Sequence, residues 1–152
     1  MELKIIRSGT NLPKPATEVS AGYDLQAMFD ENQIVLLPNE DYDIPTGIAI
    51  NMTSRNKSGM HFSRIGAFLF PRSGIGSRGL TLRNTVGLID EDYQGEIIAK
   101  VTNRGKGNLI ISRGDRIVQL VMIPVVIEQF NIVSKFSNET ERGTGGFSST
   151  GQ

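Results

Sequence analysis

The sequence has no cysteine and no tryptophan, and it has one histidine, His61. Without cysteine there is no disulfide framework, no thiolate metal site and no thiol nucleophile. A lone histidine leaves a Ser-His triad possible but excludes a multi-histidine metal centre. Charge of one sign is missing too: 16 Lys and Arg balance 16 Asp and Glu. Such a chain has no broad attraction for a polyanion, so direct nucleic-acid binding is not expected. No hydrophobic run approaches the roughly 20 residues of a membrane span. The N-terminal "MELKIIRSG" lacks the apolar stretch of a signal peptide. These absences lead us to expect a soluble, cytoplasmic protein with no membrane partner (inside the host cell if the source is viral). At 152 residues the chain is long enough for one domain with a sizeable core.

A sustained helical stripe is also lacking. What is present are short apolar segments with period two: "LKIIR", "QIVLLP", "DIPTGIAINM", "MHFSRIGAFLF", "GEIIAKVTN", "NLIISRG", "RIVQLVMIPVVI" and "FNIVSKF". They are rich in Ile, Val and Phe and bounded by Gly, Pro, Asn or Asp, as strands are. Turn signals recur about every ten residues, which predicts an all-β sandwich or barrel. One short helix is allowed near residues 74 to 79. There "GIGSRG" matches a dinucleotide-binding G-x-G-x-x-G, but that motif requires a long helix to follow. The next stretch, "LTLRNTVGLID", alternates like a strand, so the dinucleotide reading is set aside. From "SNETERGTGG" onward the apolar pattern stops. The expected organisation is one β domain over residues 1–137 and a flexible arm over 138–152.

Polar residues that look out of place cluster in five stretches. In "SAGYDLQA", Asp24 sits among apolar residues at the start of a strand, where it could also be a turn-capping aspartate. In "PRSGIGSRG", Arg72 and Ser73 precede Gly74, so side chains and a bare amide could share one anion. In "NTVGLIDEDYQGEI", two apolar runs flank an acidic turn and suggest a hairpin. Asp90 follows Leu88 and Ile89 directly, which suits a general base at the rim of an apolar cleft. In "RGDRIVQLV", Asp115 and Arg116 could pair with each other, while an inward Gln119 would need partners. The tail "ERGTGGFSSTG" cannot pack a core, because ordering its glycines is entropically costly. It nevertheless carries Arg142, a planar fork suited to phosphate, and Phe147, which can stack on a base.

In this order, "AGYDL", "PRSG", "GLIDEDYQGE", "GDRIVQL" and "RGTGGFSSTG" resemble the five motifs of the trimeric dUTPases, the dUTP diphosphatases. The resemblance runs from about residue 4 to residue 151. Ser148 stands where that family more commonly has glycine. The resemblance implies a jelly-roll-like β-barrel (a β-clip) and a homotrimer whose active sites are each shared by all three chains. The first, second and fourth motifs would come from one subunit and the third from a neighbour. The fifth would come from the remaining subunit as a mobile arm.

It further implies hydrolysis of dUTP to dUMP and pyrophosphate, which limits uracil in DNA and supplies dUMP for dTMP synthesis. Asp90 would activate the water that attacks the α-phosphorus. Arg72, Ser73, Gly74, Gln119, Arg142, Ser149 and Thr150 would bind the phosphates. Mg2+ would be the cofactor, with Asp24 touching it through water. Asn84, Gly87, Leu88, Ile89 and Ile98 would surround uracil, Tyr93 would lie under the deoxyribose, and Phe147 would stack over the base. Two other readings stay in view. A dCTP deaminase shares the fold and several motifs, but Tyr93 within "DYQGE" and Asp90 favour plain hydrolysis. A regulatory protein could keep the fold without turnover, which an acid at position 90 and a full tail argue against. No motif claims His61, which is expected to be structural.

Overall fold

The computed structural model describes residues 1–53 and 64–146. Among these the chain forms strands β1 (Glu2–Ile5), β2 (Lys14–Pro15), β3 (Tyr23–Gln26), β4 (Gln33–Leu36), β5 (Asp41–Pro45) and β6 (Ile48–Asn51). There follow β7 (Arg64–Pro71), the short helix α1 (Ser73–Gly76), β8 (Leu80–Leu82) and β9 (Gly87–Ile89). The remaining strands are β10 (Ile98–Asn103), β11 (Leu109–Ser112) and β12 (Arg116–Val125). The strands pair in four sheets: β1 with β6, β5-β10-β8, β11 with β4, and a five-stranded sheet β2-β3-β12-β7-β9. The all-β, jelly-roll-like expectation holds, and α1 occupies the one place where a helix was allowed.

The alternation read from the sequence is clean where Lys100 and Ile110 face solvent between buried neighbours in β10 and β11, whereas Ile48, Ala49 and Ile50 of β6 are all buried. Ile44, Ile48, Ala99, Val101, Ile111 and Ile117 are almost wholly buried and belong to one apolar cluster. Each large aliphatic side chain so buried contributes about 1.5–3 kcal/mol of transfer free energy.

Three expectations change. "DIPTGIAINM" is two strands, broken at Gly47, whose φ of +76° and closeness to Thr10 Oγ1 (2.1 Å from where a Cβ would stand) require glycine. The apolar runs around "DEDYQG" are strands but not partners. β9 pairs with β7, and β10 pairs with β5 and β8, so no β9–β10 ladder forms. "FNIVSKF" is not a strand: beyond β12, Phe130, Ile132 and Phe136 are almost fully exposed. Period-two patterning gives a segment the ability to pair, but a strand also needs an edge to pair with, and this segment takes none among the described residues.

One irregularity matters for the site. In β12 the register against β3 slips between Arg116 and Val118, so Arg116 faces Gln26 and Gln119 faces Asp24. Residues 116 and 119 are an odd number apart and would lie on opposite faces of a regular strand. The extra residue at the bulge puts both on the face that carries Asp24.

Candidate active site

Asp24, in β3, is buried, with its side chain 8% exposed. A carboxylate at that depth costs several kcal/mol unless it is paired. Two guanidinium groups supply the pairing. Arg72 Nε lies 2.8 Å from Oδ1, and Arg116 Nη1 lies 3.1 Å from Oδ2. Arg72 is placed by β7, which ends one residue earlier, and its amide donates to the Ile117 carbonyl at 3.0 Å. The α1 turn then presents Ser73 and Gly74 at the surface, and among the described residues no atom outside their immediate neighbours crowds Gly74. Gln119, half-buried, stands opposite Asp24. The first, second and fourth motifs therefore meet around one carboxylate. Asp115 and Arg116 do not pair: Asp115 Oδ2 instead accepts the Ser112 amide at 2.8 Å.

The third motif builds a separate cleft of about 250 Å³. Asn84, Gly87, Leu88, Ile89, Asp90, Tyr93 and Ile98 all line it, which are all the residues expected around base and sugar except Phe147, together with the expected acid. β9 holds Gly87 and Ile89 buried against β7, and the strand ends as Asp90 emerges to solvent. The Tyr93 amide closes a turn onto the Asp90 carbonyl at 3.1 Å. The Tyr93 ring lies over Gly95, where a Cβ would come within 2.5 Å of the phenol oxygen. Its hydroxyl donates to the Glu96 carbonyl at 2.9 Å.

Within one chain these two groups stand apart. Ile89 pairs with Ala67, so Asp90 is level with Gly66, while Arg72 follows the other end of β7. The path from Gly66 to Arg72 at about 3.3 Å per residue is about 20 Å. Arg142 lies farther along the chain in an exposed turn, its Nε donating to the Gly145 carbonyl at 3.0 Å. Among the described residues, the hydrogen bonds and the ion pair of residues 126–145 stay within that segment. Phe147, Ser149, Thr150 and His61 lie outside the described residues.

Sequence reasoning missed two residues and the partner of a third. Arg116 was in view but the bulge that aims it was not. Arg7 and Glu96 were overlooked: Arg7 Nε donates to Glu96 Oε1 at 2.7 Å and ties the third motif to the segment after β1. Hydrogen bonding to Glu96 raises the Arg7 guanidinium above its ordinary value, against desolvation and with help from the charges of Glu96 and Asp30.

Among the described residues no three His, Cys, Asp or Glu gather as a metal cage. Each Asp24 oxygen keeps a lone pair beyond its arginine bond. One such carboxylate suits a hydrated Mg2+ that arrives with phosphates, which is how that ion is commonly held. Among the described residues no helix is long and apolar enough to cross a membrane.

A family model for dUTPase matches residues 9–151. The deoxyuridine 5'-triphosphate nucleotidohydrolase of Shewanella halifaxensis (strain HAW-EB4) is 46% identical over 156 residues, spanning 99% of this chain and 96% of that protein. The one from Haemophilus influenzae (strain PittEE) is 45% identical over 157 residues, spanning 100% and 97%. Among solved structures, the Staphylococcus bacteriophage 80alpha dUTPase with dUPNHPP superposes with a TM-score of 0.83 at 24% identity, covering 99% of this chain and 98% of that one. That likeness establishes the fold, and the sequence relatives carry the rest: the chain belongs to the dUTPase family.

Proposed function

We propose that this chain is a dUTP diphosphatase, hydrolysing dUTP to dUMP and pyrophosphate. The observation that carries the reading is the 250 Å³ cleft, which gathers Asn84, Gly87, Ile89, Tyr93 and Ile98 and has Asp90 at its rim. Uracil enters this cleft and pairs with backbone groups of the third motif, and the narrow walls exclude a 5-methyl group. Tyr93 lies beneath the deoxyribose and leaves no room for a 2′-hydroxyl. A site built this way rejects analogues that clash or leave its polar groups unpaired. Asp90, exposed beyond β9, takes a proton from the water that attacks the α-phosphorus.

Arg72, Ser73, Gly74 and Gln119 bind the phosphates, and Arg142, Ser149 and Thr150 join them from the arm, residues 138–152. Phe147 covers the base and sheds water from the site. Asp24 would hold Mg2+ through a water, and the bound ion would supply positive charge to offset that developing on the departing pyrophosphate. The 20 Å between acid and phosphate ligands along β7 supports a homotrimer in which neighbouring subunits complete each site. The exposed Phe130, Ile132 and Phe136 support it as well, because apolar side chains in such a row favour burial against another copy. The enzyme would act in the cytoplasm, limiting uracil in DNA and supplying dUMP for dTMP synthesis.

The test is pyrophosphate release from dUTP, dTTP, dCTP and UTP side by side with Mg2+. Rapid turnover of dUTP alone is expected. Equal rates on dTTP would overturn the uracil slot, and ammonia released from dCTP would make the chain a deaminase.

A further inference from the structure

We infer that Glu96, clamped by Arg7 and the Gly47 amide, is a positioning residue that sets where the Tyr93 ring lies and so how well deoxyribose is told from ribose. The inference rests on the role proposed above for Tyr93. Its basis is that Glu96 works at both ends. Its side chain is 17% exposed, and Oε1 accepts Arg7 Nε at 2.7 Å and the Gly47 amide at 2.9 Å. Its own carbonyl accepts the Tyr93 hydroxyl at 2.9 Å. The phenol is thus tied to a residue that is tied to the body.

Each tether of that residue is itself fixed. Gly47 sits in the break between β5 and β6, and its carbonyl accepts the amides of Ile6 at 2.7 Å and Arg7 at 3.3 Å. The Arg7 carbonyl takes both the amide and the hydroxyl of Thr10. Beyond Glu96, the Ile97 amide donates to Ile48, and its carbonyl accepts the amide and the buried hydroxyl of Thr46. Tyr93 itself is held by its amide, which donates to the Asp90 carbonyl, and by the phenol–carbonyl bond to Glu96. Tyr93 is 46% exposed, so core packing does not fix its ring. The ring therefore inherits its place from Glu96. A contact surface for a sugar tolerates little drift, since a misplacement of about 1 Å can cost about a hundredfold.

A purely structural Glu96 would lower the melting temperature and slow every nucleotide alike. A positioning Glu96 changes the ratio of kcat/KM for dUTP to that for UTP, and leaves the dUTP to dTTP ratio, set by the slot walls, nearly as it was. In Glu96→Ala we expect the dUTP/UTP ratio to fall roughly tenfold or more. In Glu96→Gln the amide oxygen can still accept both bonds, so the ratio should return close to wild type. Should Glu96→Ala not fold, Arg7→Met removes one of the two donors and should lower the same ratio by a smaller factor. Tyr93→Ala is measured beside them. A collapsed ratio in Tyr93→Ala with an unchanged one in Glu96→Ala (or in Arg7→Met where that stands in) overturns the positioning role and leaves the Tyr93 reading intact. An unchanged ratio in Tyr93→Ala overturns the sugar role itself, and this inference with it.

Discussion

Arg72 Nε lies 2.8 Å from Asp24 Oδ1, and Arg116 holds the other oxygen at 3.1 Å, so one buried carboxylate joins three of the five motifs. Breaking a fully buried pair by removing one partner costs about 3–5 kcal/mol. Arg72 is 31% exposed and Arg116 remains, so we expect Arg72→Met to lose about 1–2 kcal/mol. Asp24→Asn should lose less, because the arginines can turn to water and no charge is left buried. Chemical denaturation of the two variants checks the order. A more stable Arg72→Met than Asp24→Asn would mean that the pair does not hold this corner together.

Asp90 makes the opposite kind of prediction, because it stands in solvent where stability does not depend on it. Asp90→Asn keeps the size and removes the proposed proton acceptor. Turnover of dUTP should fall by about two to four orders of magnitude, the scale of general-base loss. Nucleotide affinity, read by calorimetry, should survive. Near-normal turnover would assign the base to another residue.

Gly95 offers a way to move Tyr93 without touching it. A Cβ there would stand 2.5 Å from the phenol oxygen and 2.7 Å from the adjoining ring carbon. The exposed ring can swing out, so Gly95→Ala should fold with little loss of stability. UTP should then become a better substrate relative to dUTP, by roughly tenfold. An unchanged preference would show that the ring position does not decide the sugar.

Much of this was legible in the sequence, for physical reasons. Asp24 and Asp90 stand out because a carboxylate in an apolar run needs an explanation. The strands are readable because short runs rich in Ile, Val and Phe, such as "RIVQLVMIPV" and "RIGAFLFP", stand between turn residues. Three things were hidden. The partner of Arg116 depends on a bulge, which changes the face a residue occupies without changing its neighbours in sequence. The bond from Arg7 to Glu96 spans 89 positions, and no local pattern encodes such a contact. "FNIVSKF" has the alternation of a strand, but a pattern states only that a segment can pair, not whether its own chain holds the edge.

The separation of Asp90 from Arg72 along β7 leads to the strongest test, a mixture of two chains expected to be inactive. One carries Asp90→Asn, and the other is truncated after Asn138 and so lacks Arg142 and Phe147. Each homotrimer alone should be nearly inactive, since one lacks every base and the other every arm. On the proposed homotrimer, refolding the two together in equal amounts should give mixed trimers. A site that draws its acid from one subunit and its arm from another can then take Asp90 from the truncated chain and the arm from the Asp90→Asn chain. With random assembly about one half of acids and one half of arms are intact, so about a quarter of sites hold both. Activity should rise from two dead parents to about that fraction of wild type. If acid and arm act within one chain, no mixture reunites them, and activity stays at the parental background. That result, with mixed trimers confirmed by native mass spectrometry, would refute an arm that closes over a neighbour. Native mass spectra showing only monomers would refute the trimer itself.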